Sequence, residues 1–169
     1  MCGIIGIFGN NNPHERVKKS LEKIIHRGSS IFELEFFNGG SLGANRLPII
    51  DREYGKQPKF NEDKTIFAVL NGEMFNYKEL KKDLISKGHA FQTDSDTEVL
   101  VHLYEEYGTK MVNMIDSEMF AFIIFDKKKD SIFAARDLLG IKPLYYAYDD
   151  KKQIYFASEL KQLSFFDDI

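Results

Sequence analysis

Short apolar runs of strand character gather toward both ends of the 169-residue chain, with segments of helical apolar spacing between them. That order predicts two sheets and two helical layers, an α+β arrangement and not a parallel βαβ one. Gly3 to Phe8 is rich in isoleucine and closes on Gly9-Asn10-Asn11-Asn12-Pro13, which reads as a buried strand and a turn. Asn12 is expected to cap a helix with Pro13 at its first position; Val17, Leu21, Ile24 and Ile25 share one face, and the helix should stop near Arg27-Gly28. Glu33 to Phe37 and Ser41 to Asn45 flank Asn38-Gly39-Gly40, residues that accept positive φ, so a β-hairpin is predicted. Thr65 to Leu70 reads as a strand running into a loop at Asn71-Gly72-Glu73. Asn76 and Glu79 form a capping-box pattern for a helix to Lys87, ended by Gly88. Asp96 or Thr97 caps another, ended by Gly108, whose face is Val99, Leu100, Leu103, Tyr104 and Tyr107. Met119 to Phe125, Ile132 to Arg136, Leu144 to Tyr148 and Ile154 to Ala157 read as an antiparallel meander. One domain over residues 1–169 is expected, since single cores commonly span about 100 to 200 residues.

Composition narrows the function. A formal net charge of −3 supplies no basic footprint for nucleic acid or an anionic membrane, and no apolar run approaches the roughly 18 residues of a membrane helix. A single cysteine excludes an internal disulfide framework and a Cys-rich zinc site, and Met1-Cys2-Gly3-Ile4 does not resemble a signal peptide, so a cytoplasmic location is expected. His14, His89 and His102 are scattered without metal-binding spacing, Lys127-Lys128-Lys129 reads as a solvated turn, and the aromatic 14% is expected mostly in the core.

Taken alone, Cys2 reads as a small apolar residue entering a buried strand. Its position allows another chemistry. Trimming of Met1 would leave a free α-amine beside the thiol, placing base and nucleophile on one residue. The amine titrates near about 7.7–8.0 and a thiol near about 8.5 in model compounds, so no histidine partner is needed.

Other segments keep Cys2 company: His26-Arg27-Gly28, Asn45-Arg46-Leu47-Pro48-Ile49-Ile50-Asp51, Asn71-Gly72-Glu73-Met74-Phe75-Asn76, Thr93-Asp94-Ser95-Asp96-Thr97-Glu98, Arg136-Asp137-Leu138-Leu139-Gly140-Ile141-Lys142-Pro143-Leu144-Tyr145-Tyr146, and Phe156-Ala157-Ser158-Glu159-Leu160-Lys161. In order and spacing they resemble the N-terminal glutaminase domain of glutamine-dependent asparagine synthetase, a class II, N-terminal-nucleophile amidotransferase. The resemblance covers essentially the whole chain and implies a four-layer αββα sandwich that hydrolyses L-glutamine to glutamate and ammonia.

The same resemblance implies the roles of the site residues. Cys2 attacks the side-chain amide, and the Asn71 side chain with the Gly72 N–H receives the oxyanion. Arg46 grips the α-carboxylate with its two-point fork, Leu47 to Ile50 line the pocket, and Glu73 and Asp96 receive the α-ammonium. No metal or organic cofactor is expected in this domain; ATP and magnesium belong to a partner synthetase that consumes the ammonia. That synthetase domain and its phosphate-binding loop are absent from the chain, which leaves an excised domain or a split subunit. An amidotransferase for another acceptor, a sugar or other carboxylate, and a silent partner-binding domain are the alternatives. Ser29 and Ser30 stand where the family usually has proline and aspartate, Asn45 where it is basic, Pro48 where serine is common, and Glu118 where glycine precedes Met119. Arg136 to Tyr146 is read as a structural arginine-aspartate pair and strand bracing the site.

Overall fold

A computed structural model describes residues 1–9, 13–29, 32–164, 166 and 169. Its strands are β1 (Gly3–Phe8), β2 (Glu33–Phe37), β3 (Gly40–Asn45), β4 (Lys59–Phe60), β5 (Ile66–Gly72), β6 (Phe120–Asp126), β7 (Ser131–Arg136), β8 (Tyr145–Tyr148) and β9 (Ile154–Ala157). Its α-helices are α1 (Pro13–Glu22), α2 (Tyr77–Ser86) and α3 (Asp96–Tyr107). They assemble into a five-stranded sheet in the order β2-β3-β1-β9-β8 and a four-stranded sheet in the order β4-β5-β6-β7, with every pairing antiparallel.

Three apolar clusters define the layers, and side-chain alternation along the strands assigns residues to them. Ile5 and Ile7 of β1 pack with Val17, Leu21 and Ile24 of the α1 region on one face of the first sheet. Ile4 and Phe8 point the other way, meeting Phe67 and Val69 of β5 and Ala121, Ile123 and Phe125 of β6 between the sheets. Phe37 stacks on Phe125 there, ring centroids 4.4 Å apart. Beyond the second sheet, Ala68, Leu70, Phe122 and Ile124 meet Leu80 and Leu84 of α2 and Val99, Leu100 and Leu103 of α3. The result is the expected αββα stacking. Central strands buried on both faces read as continuous apolar runs, which is why β1, β5 and β6 stand out in the sequence.

Local expectations differ from the structure at several points. The first helix ends at Glu22; a turn and a 3₁₀ segment, Ile25–Arg27, follow. Tightened bonds from Ile24 N–H to Leu21 O (3.0 Å) and Arg27 N–H to Ile24 O (2.9 Å) rotate Ile25 off the buried face, leaving it 45% exposed. Asn12, the expected cap, lies outside the described residues, as does Ser30. The β2–β3 hairpin turns at Asn38-Gly39, with Gly39 at φ 90°. Asn71 and Gly72 form the end of β5 and not a loop, because β6 continues to pair with them, Asn71 against Ala121 and Gly72 against Phe120. Asn76 makes no cap hydrogen bond: its side chain donates to Met114 O (2.9 Å) and accepts from Asp116 N–H (3.1 Å), tying the start of α2 to the segment after α3. The cap of α3 is Ser95, whose hydroxyl accepts from Thr97 N–H, so Asp96 is the first helical residue.

The C-terminal strands are not one meander. β6 and β7 belong to the second sheet, while β8 and β9 cross to the first, where β9 pairs with β1. Arg136 and Asp137 sit at that crossover. Among the described residues no ion pair joins them; the Asp137 carboxylate accepts instead from Ile141 N–H (2.7 Å), Lys142 N–H (2.9 Å) and Phe120 N–H (3.3 Å). Burial opposes its charge, yet these donors hold the carboxyl below its ordinary range. The aromatic residues divide: Phe8, Phe67, Phe122 and Tyr155 are core, whereas Phe36, Tyr54, Tyr146 and Tyr148 are exposed. No described helix is long and apolar enough to cross a membrane.

Candidate active site

The register of the first sheet sets where its edge opens. Gly3 pairs with Asn45, so Cys2, just before β1, and Arg46, just after β3, emerge side by side. The Leu47 N–H donates to Cys2 Sγ (3.3 Å), and the thiol in turn faces Leu47 O (3.7 Å). Facing them from the second sheet are Asn71 and Gly72 at the end of β5.

The backbone of Cys2 is held by a brace to which sequence reasoning assigned no role. Arg27 donates from Nε to Cys2 O (3.0 Å) and from Nη1 to Glu159 Oε1 (2.8 Å), and His26 Nε2 stands 2.9 Å from the same carboxylate oxygen. Burial raises the Glu159 carboxyl, but Arg27, Lys161 and His26 outweigh it and hold the group at about 2. Ser158 completes the brace, its hydroxyl accepting from Ile4 N–H (2.9 Å) and its own N–H donating to Ile4 O (3.1 Å). Gly28 is required by close approach: a Cβ there would meet Asn45 Oδ1 at 2.3 Å and Asn45 O at 2.7 Å. Thus His26-Arg27-Gly28 and Ser158-Glu159, far apart in sequence, hold the start of β1 from Cys2 to Ile4 against the end of β3.

All eight residues selected from the sequence, Cys2, Arg46, Leu47, Ile50, Asn71, Gly72, Glu73 and Asp96, line one cavity of about 160 Å³. Ile49, Gln57, Met119, Lys142 and Met1 share its wall. Gln57 comes from a stretch that reads only as irregular, yet its side chain acts as a surrogate strand for β5, donating to Leu70 O (3.1 Å) and accepting from Leu70 N–H (2.8 Å). Lys142 had been read as part of a brace; it is buried and reaches the cavity wall, a placement that only the sheet crossover creates.

Electrostatics divide the cavity. Burial pushes the Cys2 thiol up, although the Leu47 N–H and the Arg46 charge act against it, so the thiolate is not the resting form. Arg46 spans the loop that follows it, donating from Nη2 to Ile50 O and to Asp51 O (2.9 Å) and from Nη1 to Arg52 O (3.4 Å). Asp96 is only 6% exposed, and burial raises its carboxyl to about 6 despite donation from the Met74 N–H (3.4 Å); nearby Glu73 pushes the same way. A cation placed between Glu73 and Asp96 would relieve both.

Among the described residues, Asn71 is the unsatisfied side chain in the cavity wall. Its side chain is fully buried, and neither its amide nitrogen nor its amide oxygen has a hydrogen-bond partner. An orphaned buried amide costs about 1–3 kcal/mol, a cost that a ligand oxygen accepting from it would remove. Gly72 beside it has φ 146°, and a Cβ would meet Met119 O at 2.3 Å. His89 and His102, read from the sequence as scattered, lie elsewhere and stand together with Glu62 and Glu105.

A family model described as a glutamine amidotransferase domain matches residues 1–168. Relatives include asparagine synthetase [glutamine-hydrolyzing] 3 of Arabidopsis thaliana, 42% identical over 97% of this chain and 28% of that protein. Another is asparagine synthetase [glutamine-hydrolyzing] 1 of Bacillus subtilis (strain 168), 42% identical over 96% of this chain and 26% of the relative. The chain thus spans about a quarter of the length of these relatives. Among solved structures, glutamine phosphoribosylpyrophosphate amidotransferase from B. subtilis superposes with a TM-score of 0.77 at 23% identity, covering 96% of this chain and 43% of that one. At that identity the likeness establishes the fold alone.

Proposed function

Because the chain belongs to the glutamine amidotransferase domain family, we propose that Cys2 hydrolyses L-glutamine to glutamate and ammonia in the cavity between the sheets. The observation that carries this reading is the unpartnered amide of Asn71 in the wall of the same cavity as the Cys2 thiol. Glutamine enters with its α-carboxylate toward Arg46 and its α-ammonium between Glu73 and Asp96, so a zwitterion meets complementary charges. Its side-chain amide then lies against Cys2. A base must take the thiol proton as sulfur attacks; the Cys2 α-amine, freed by removal of Met1, is that base. Sulfur bonds to the amide carbon, and the oxygen becomes an oxyanion that accepts from Asn71 Nδ2 and the Gly72 N–H. On collapse the C–N bond breaks as the amide nitrogen takes the proton back from the α-ammonium and leaves as ammonia, and the glutamyl thioester is then hydrolysed by water deprotonated by the regenerated amine. The Arg27 brace keeps the nucleophile in register throughout. These steps call on no metal or organic cofactor.

The ammonia is consumed, in this reading, by an ATP- and magnesium-dependent synthetase domain or subunit of the asparagine synthetase kind, in the cytoplasm. The test is glutamate release by protein whose intact mass shows Met1 removed. Cys2→Ala should abolish release while changing stability by less than about 1 kcal/mol, and Asn71→Ala should lower kcat about 10²–10³-fold with little change in KM. Full activity in Cys2→Ala, or with Met1 retained, would move nucleophile or base to another group.

A further inference from the structure

On the outer side of the second sheet the fold gathers three segments that the sequence keeps apart. Glu62 comes from the turn between β4 and β5, His89 from the connection between α2 and α3, and His102 and Glu105 from successive turns of α3. Each offers one ligand atom, and these atoms all lie within 4.8 Å of one another.

We propose that Glu62, His89, His102 and Glu105 form a tetrahedral site for a divalent cation of the zinc class, which clamps both connections onto α3. Four ligands at zinc's distance of about 2.0–2.1 Å stand about 3.3 Å apart. His102 Nδ1 is 3.6 Å from Glu62 Oε2 and 3.8 Å from Glu105 Oε2, while His89 Nδ1 is 3.9 Å from Glu62 Oε1 and 3.9 Å from Glu105 Oε2. These four separations are too long for good hydrogen bonds and exceed a coordination edge by about half an ångström; with the ligand atoms spread over as much as 4.8 Å, the remaining edges close by up to about 1.5 Å through side-chain rotation, Glu62 turning one oxygen toward both histidines.

The second observation is His102 itself. It is 1% exposed, and neither ring nitrogen has a hydrogen-bond partner. A buried imidazole without partners is costly, and a cation bound at Nδ1 satisfies it. The outer nitrogens fit the same reading, because metal-bound histidines commonly turn their second nitrogen to a carboxylate. His102 Nε2 faces Glu98 Oε1 at 3.9 Å, and His89 Nε2 faces Glu106 Oε2 at 3.5 Å. The ligating carboxylates are themselves oriented: Glu105 Oε1 accepts from Asn61 Nδ2 (3.0 Å) and Glu62 Oε1 from Ala90 N–H (2.8 Å). Two carboxylates and two neutral imidazoles carry a charge of −2, matched by one divalent ion. Imidazole with carboxylate is a borderline set that favours zinc or cobalt over magnesium or calcium.

The proposal is independent of the glutaminase chemistry, and its test has its own signal. Metal-stripped protein carrying Cys2→Ala, which removes the thiol as a competing ligand, is titrated with Co²⁺ and then with Zn²⁺. The expected result is one equivalent of cobalt with the intense visible bands of four-coordination, displaced by zinc, and a rise in Tm with either ion. His102→Gln could fail to fold, so the deciding variants are His89→Gln and Glu105→Gln at more accessible positions. Each should weaken binding by at least about tenfold, and Glu106→Gln by about 10–100-fold through loss of the outer partner. Absence of a four-coordinate spectrum, or equal affinity in the parent and both ligand variants, would overturn the site and leave a histidine pair set among carboxylates.

Discussion

Asp96 shows how much a single residue can store for binding. The unfolded chain gives up this proton near 3.8, whereas burial holds it in the fold to about 6. A raised carboxyl contributes stability that is fully present below 3.8 and is lost as pH rises from there through about 6, a loss of about 2–3 kcal/mol. Asp96→Asn should therefore raise Tm at pH 7, with a gain that shrinks toward zero near pH 4, while weakening glutamine binding. Thermal melts of both proteins across that range check it; a Tm difference independent of pH would mean that Asp96 is not a buried charge. Cys2, Arg46, Asn71 and Asp96 were legible as residues of one cavity because their motifs lie in contiguous segments. Lys142 and Gln57 were not, since each reaches the cavity only through a tertiary placement, the sheet crossover in one case and a surrogate strand in the other.

Among the elements, the end of β5 carries the most consequence. The sequence reads Asn71-Gly72 as a turn dipeptide, and the structure keeps both in the ladder because β6 supplies backbone partners to the last position. That ladder points the Asn71 side chain into the cavity and presses Gly72 against Met119. Gly72→Ala should cost about 1–3 kcal/mol for the backbone conformation alone, with a further loss as Met119 is displaced. Denaturant melts and the glutaminase assay should both register it, and unchanged stability would contradict the close approach. The longer strands and the helices were readable from periodicity, but their ends were not, and the two-residue β4 fell in a stretch that reads as irregular. The cap of α3 moved by a residue to Ser95, and Asn76 kept the cap position of α2 while its side chain turned to Met114 and Asp116.

For the whole molecule, the four layers place the cavity at an open edge between two sheets, and the three apolar clusters that fix those layers follow from alternation in β1, β5 and β6. Which strands cross from one sheet to the other was hidden, because short antiparallel strands that follow one another in the chain read the same whichever sheet receives them. An open edge suits the proposed passage of ammonia to a second active site. Supplying the synthetase portion, joined or as a separate chain, should raise glutamine hydrolysis and make it depend on acceptor and ATP. Rates unchanged at saturating partner, with no complex by light scattering, would mean a self-sufficient glutaminase.

The central claim is that the Cys2 sulfur attacks glutamine, and covalent trapping examines it without reliance on rates. Diazo-oxo-norleucine, a glutamine mimic with a reactive carbon at the amide position, is incubated with Met1-free protein, and the labelled peptide is sequenced by mass spectrometry. The account predicts one adduct per chain, on Cys2, suppressed by excess glutamine and lost in Arg46→Ala. An adduct on any other residue, or glutamine hydrolysis persisting after Cys2 is fully labelled, would contradict it.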